Sequence, residues 1–76
     1  MTDHVYSVTE IVGSSGKSVD DAIRNAVKTA SGSLRRLEWF EVTQIRGHID
    51  NGDVAHYQVM LKLGFRYEAG KTAKKK

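Results

Sequence analysis

A chain of 76 residues makes one domain at most, of a size at which a single core contributes only ~3–5 kcal/mol. It contains no cysteine, which excludes disulfides and thiolate-ligated zinc and leaves association with other copies as the remaining stabilising device. The pI near 9.4 belongs to one end: Lys71, Lys74, Lys75 and Lys76 sit in AGKTAKKK, while residues 1–69 hold eight basic and nine acidic residues, a formal charge of −1.

This placement reads as a folded domain over 1–69 followed by a basic, disordered tail over 70–76. Contact with a nucleic acid or another acidic partner through that tail is the sharper alternative. Residues 1–12, MTDHVYSVTEIV, lack the basic and apolar regions of a signal peptide, and no stretch is long enough to span a bilayer. A cytoplasmic chain without membrane contact is therefore expected.

In chain order, HVYSVTEIVG (4–13) is rich in β-branched residues and reads as the first strand, with SSGKS (14–18) as a loop. Ser18 opens SVDD, an S-x-x-D helix start with two carboxylates in the first turn, where the helix dipole favours them. Apolar residues then recur at Val19, Ala22, Ile23, Ala26, Val27 and Ala30, a helical stripe over 18–31, with Gly32 as the stop. The stripe is rich in small residues, which lets a sheet approach closely. SSGK lacks the spacing of a phosphate-binding loop.

The segment EWFEVTQIRGHIDNGDVAHYQVMLKLGF (38–65) reads as a hairpin. Asn51-Gly52 is the strongest hairpin signal, because a type I′ turn needs positive φ at both central positions. With Asp50 facing Asp53, every cross-strand pair sums to 103 and the faces follow. Phe40, Val42, Gln44 and Arg46 fall on the helix side with Tyr57, Val59, Leu61, Leu63 and Phe65. The opposite face receives Trp39, Glu41, Thr43, Ile45 and Ile49 together with His56, Gln58, Met60 and Lys62. Glu41 then faces Lys62 as a charge pair. Trp39, the one tryptophan, lies over Gly64, where no side chain obstructs it.

A helix over 18–31 spans ~21 Å, whereas a strand over 37–49 spans ~43 Å. Ile45, Ile49, Val54 and Tyr57 toward the tip, and Trp39 and Met60 on the second face, therefore lack cover within one chain. A homo-oligomer is expected. An indole over a glycine gap, with the amide of Gln58 on the same face, suits a flat heteroaromatic ring. His4, His48 and His56 are not expected to gather at a metal, since His48 and His56 face opposite sides in this register.

The combination of EIVG after the first strand, SVDDAI opening the helix, WFEV and IRGHI on one hairpin strand and HYQV…K.GF on the other resembles the dodecin family over residues 4–67. The resemblance implies an α+β fold, β-α-β-β, with a three-stranded antiparallel sheet wrapping one helix. It also implies a hollow homododecamer that binds flavin, pairs of isoalloxazine rings being held between symmetry-related tryptophans while a glutamine meets the ring edge. The matching positions are Trp39 and Gln58.

In the register above Gln58 faces Ile45, six residues from Trp39 and ~20 Å along the strand. Either neighbouring subunits share the pocket, which is the expectation here, or a bulge alters the register. The resemblance further implies FMN as the ligand, with riboflavin or FAD possible and coenzyme A as a possible second ligand. Arg46 of IRGH stands toward the phosphate, with Arg66 as a weaker candidate. Gln44 departs from the glutamate common in the family. The implied role is flavin storage, sequestration and photoprotection without catalysis. A flavin-dependent oxidoreductase is the alternative from another class.

Overall fold

The computed structural model describes residues 3–67; the expected basic segment over 70–76 lies outside the described residues. The chain runs β1 (Tyr6–Ser15), α1 (Val19–Ala30), β2 (Leu37–Asp50) and β3 (Asp53–Arg66). These strands form one antiparallel sheet in the order β1-β3-β2. The β-α-β-β expectation holds. β3, the last strand in the chain, takes the centre and pairs with both others.

The helix starts as the sequence directs. Ser18 is extended at φ −166°, ψ 167°, and its hydroxyl accepts a 3.0 Å bond from the Asp21 amide, satisfying a donor that the first turn would leave open. Asp20 and Asp21 lie in the first turn and Lys28 in the last, all favourable to the dipole. The helix ends with Ser31 as its C-cap.

Instead of entering a loop at Ser14, β1 continues through Ser15. The buried Ser15 hydroxyl donates to Asp21 Oδ2 at 2.8 Å and accepts from the Lys17 amide at 2.9 Å. A serine that reads as turn chemistry thus ties the strand end to the helix start.

Ala22, Ala26 and Ala30 of α1 pack on Val59, Leu61 and Leu63 of β3 to form the buried core. The helix contacts β1 and β3, and the small side chains set the approach. A Cβ placed on Gly13 would stand 2.3 Å from the Ala22 carbonyl oxygen and 2.7 Å from Ala26 Cβ. β2 lies to the side of this contact. Val42 reaches the core edge, but Phe40 is 49% exposed on the helix side of the sheet.

The hairpin turn is as expected, with Asn51 at φ 53° and Gly52 at φ 73°, and Asp50 faces Asp53. The register between β2 and β3 is not uniform. Ile49 faces Val54, but His48 faces His56, so Ala55 is an extra residue on β3. Val42 faces Leu61 and Gln44 faces Met60, so Thr43 is an extra residue on β2, its hydroxyl bonded to the Met60 carbonyl at 3.1 Å. A further shift leaves Glu38 extra beside Trp39.

The bulges at Thr43 and Ala55 sit on opposite strands and cancel. Pairs from Trp39 to Val42 therefore keep the expected register, whereas β2 from Gln44 onward is turned to the other face, so Ile49, expected with Trp39, lies on the helix side with Val54. Gln44, Arg46 and His48 lie on the Trp39 face, and Ile45, 54% exposed, lies on the helix side opposite Val59. This corrects the expected placement of each.

Gly13→Val should lower stability by about 2 kcal/mol or more, because the added side chain has to displace helix backbone rather than a flexible side-chain end. Chemical denaturation followed by circular dichroism checks it, with a lowered midpoint as the expected result.

Candidate functional site on the uncovered sheet face

The face opposite α1 is fixed by β3, whose Val59, Leu61 and Leu63 turn toward the helix and whose Gln58, Met60, Lys62 and Gly64 turn away. β1 adds Tyr6, Val8, Glu10, Val12 and Ser14 to the second face, since these pair in register with Arg66, Gly64, Lys62, Met60 and Gln58. Tyr6, Val8, Val12 and Trp39 are all substantially exposed on it. Lys62 stands between Glu41 and Glu10 in the register, among these apolar positions.

Trp39 lies flat on the backbone at Gly64. A Cβ built there would meet Cε2 and Cζ2 of the indole at 2.2 Å and Cδ2 at 2.5 Å, three ring atoms at nearly one distance, as expected for a point above the ring plane. Tyr6 meets the indole edge to face, with centroids 5.1 Å apart at 65°. With one ring face on the strand and Tyr6 in T-shaped contact, Trp39 remains 42% exposed. The sequence predicts the Trp39–Gly64 contact but not Tyr6. Register for β1 was the missing step, and its alternating Tyr6, Val8 and Val12 were the available signal.

Arg46 and Gln58 are direct cross-strand partners, and Arg46 Nε donates to Gln58 Oε1 at 3.0 Å. An arginine Nε can only donate, so the glutamine oxygen is committed inward and its NH₂ is left as the outward donor. The terminal nitrogens of the guanidinium keep their own donors. The Thr43 and Ala55 bulges create this pair; the uniform register would have set Arg46 on the helix side.

Arg66 sits at the opposite end of the sheet. Its Nε stands 3.9 Å from Glu38 Oε2 without a hydrogen bond, and a terminal nitrogen lies 3.4 Å from His4 Nε2. It is engaged with its own chain's charges.

The four sequence-predicted residues therefore form two groups on one face. Trp39 and Arg66 are near the open end of the hairpin, Arg46 and Gln58 toward its tip. β3 pairs with β1 without interruption from Tyr57 to Arg66, so the six residue steps from Gln58 to Gly64 span ~20 Å. The bulges change which face Arg46 occupies but leave this distance unchanged. Two larger grooves, about 660 Å³ along Ile23, Val27 and Phe40 and about 520 Å³ between β1 and α1, border the helix instead. Among the described residues no three or more of His, Cys, Asp and Glu gather as metal ligands, and no helix is long and apolar enough to cross a membrane.

A single helix on one side of a three-stranded antiparallel sheet, with an exposed indole and a donor pair on the other, defines a small α+β module with one sheet face uncovered. The chain belongs to the dodecin family, whose model matches residues 5–68. A dodecin of Thermus thermophilus is 47% identical over 64 residues, 84% of this chain and 93% of the relative. The structure of dodecin from Streptomyces coelicolor is similar at a TM-score of 0.85 and 63% identity, covering 90% of this chain and 97% of that one. Dodecin from Streptomyces davaonensis gives 0.84 and 49%, covering 88% and 98%.

Gly64→Ala should push the indole off the strand, because the new methyl would occupy space held by ring atoms. As Trp39 is the single tryptophan, its emission reports the change directly. A red shift and faster acrylamide quenching are expected, with far-ultraviolet dichroism retained.

Proposed function

We propose that this chain binds a flavin, FMN foremost, between Trp39 of one copy and the Gln58–Arg46 pair of another, and that it stores and shields the flavin without catalysing a reaction on it. The single observation that supports this best is the Trp39 indole lying on Gly64 with its outer face open, on the same sheet face as a committed amide and a guanidinium. A flat ring of isoalloxazine type suits the open indole, with stacking as the chief contribution. The outward NH₂ of Gln58 suits the carbonyl edge of such a ring. Arg46 offers paired donors to a phosphate, which favours FMN over riboflavin.

The separation of ~20 Å between Trp39 and Gln58 within one chain is why the site is proposed between chains. A two-fold contact that lays the open end of one hairpin on the tip half of another forms two equivalent sites at once. The exposed Tyr6, Val8 and Val12 are then covered in the same step. The family resemblance implies a homododecamer in which flavin pairs lie across two-fold axes, which is compatible with such a contact.

Photoexcited flavin is a strong oxidant. Trp39, in van der Waals contact, supplies an electron that returns to it, so the excitation decays with no net chemistry and no product. An oxidoreductase needs a second substrate beside the ring; stacking on Trp39 occupies that space.

Titrating the protein with FMN should quench flavin fluorescence strongly, and Trp39→Ala should abolish the quenching while leaving the fold intact. Unchanged quenching in that variant would overturn the proposal. Static light scattering of the unsubstituted chain should give about twelve times the chain mass of 8.5 kDa. A monomer at every concentration would remove the shared site.

A further inference from the structure

The sequence gives no reason to expect a metal when His48 and His56 face opposite sides. The bulge at Ala55 removes that obstacle. The two histidines are direct cross-strand partners, with rings stacked at a centroid distance of 5.1 Å and an interplanar angle of 15°. They lie beyond the end of β1, whose last pair is Ser15 with Tyr57, so no third strand flanks them. His48 is exposed and His56 half-buried.

We propose that His48 and His56 together form a binding site for one borderline divalent cation of the Zn²⁺, Ni²⁺ or Cu²⁺ type. Opposed residues of an antiparallel pair hold their Cβ atoms about 4.5–5.5 Å apart, so the sheet places both imidazoles before any ion arrives. An ion bound at 2.0–2.1 Å by each ring in tetrahedral geometry needs the two donor nitrogens about 3.3 Å apart. Rotation of the rings out of the stack brings them there without moving the backbone.

Imidazole suits Zn²⁺, Ni²⁺ and Cu²⁺, whereas Mg²⁺ and Ca²⁺ require a set of oxygen ligands. No third side-chain ligand stands with the pair among the described residues, so water completes the coordination and the affinity is that of a two-ligand site. The local charge is compatible with a cation: residues 44–60 contain Asp50, Asp53 and Arg46, a formal net of −1 with histidines neutral. Arg46, on the same face, is held by Gln58, and Asp53 accepts from the Val54 amide in the turn. The site shares no residue with the proposed flavin contacts and does not rest on them.

The test is isothermal titration of the full-length chain with ZnCl₂, and separately with MgCl₂. One Zn²⁺ per chain and no Mg²⁺ binding are expected. Zn²⁺ affinity should fall in His48→Gln and in His56→Gln by at least the about tenfold that loss of a supporting partner alone costs a metal site. Imidazole proton resonances supply a second readout that needs no variant. Zn²⁺ should shift those of His48 and His56 together and leave His4 unmoved. Absence of Zn²⁺ binding, an affinity in either variant unchanged from the unsubstituted chain, or shifts confined to His4 would overturn the proposal.

Discussion

The 12-residue helix covers one side of β1 and β3 and leaves most of a sheet with 14-residue strands bare. It runs ~18 Å, against ~46 Å for β2 or β3. The alanines that let it sit against Gly13 also make it narrow, so Phe40 and Ile45 of β2 stay open even on its own side. Fully burying a large apolar side chain contributes about 1.5–3 kcal/mol. Only Val59, Leu61 and Leu63 obtain that in full, while ten large apolar residues among those described remain substantially exposed. Much of the burial this sequence encodes is therefore unrealised within one chain.

The paired bulges decide what the bare face carries. Thr43 on β2 and Ala55 on β3 cancel in the pairing, but the bulge on β2 still turns every later residue of that strand to the face opposite the one an unbroken strand would give, Ile49 included. The exchange removes Ile45 from the face that holds Trp39 and brings Gln44, Arg46 and His48 onto it. Polar and cationic groups thereby collect toward the tip while the aromatic groups stay at the open end. The Arg46–Gln58 bond and the histidine stack both follow from this change of phase.

The legible parts of the fold were those governed by local chemistry. Ser18 with Asp21, the Val19–Ala30 stripe and the Asn51-Gly52 turn each carry their own signal, and the turn alone fixed the register as far as Ile49. Trp39 over Gly64 followed correctly only because two bulges between it and the turn offset each other. The bulges themselves were visible in one place: Val42 and Ile45 lie three apart where an unbroken strand would put the next apolar residue at two. Position 44, a glutamine, was given to the helix side by arithmetic against its chemistry. The role of Ser15 was hidden because a serine before a glycine reads as a turn, and its partner Asp21 lies on another element. Tyr6 was missed because β1 had no register until β3 was placed beside it.

If the flavin sits between chains, its affinity and the assembly are linked, since a ligand that binds only the assembled form stabilises that form by RT ln(1 + [L]/Kd) per site. A single chain offers half of each contact, a bare indole at one end and a donor pair ~20 Å away. Neither half grips a ring system strongly alone: the indole lacks a second wall, and the polar pair remains in water, where hydrogen bonds exchange with solvent at little net gain. Closing two copies about a two-fold axis excludes that water and supplies both walls. The same apolar residues that leave one chain underburied then provide the association energy, so the shortage of cover and the capacity to hold a planar guest have one origin in the length of the ribbon.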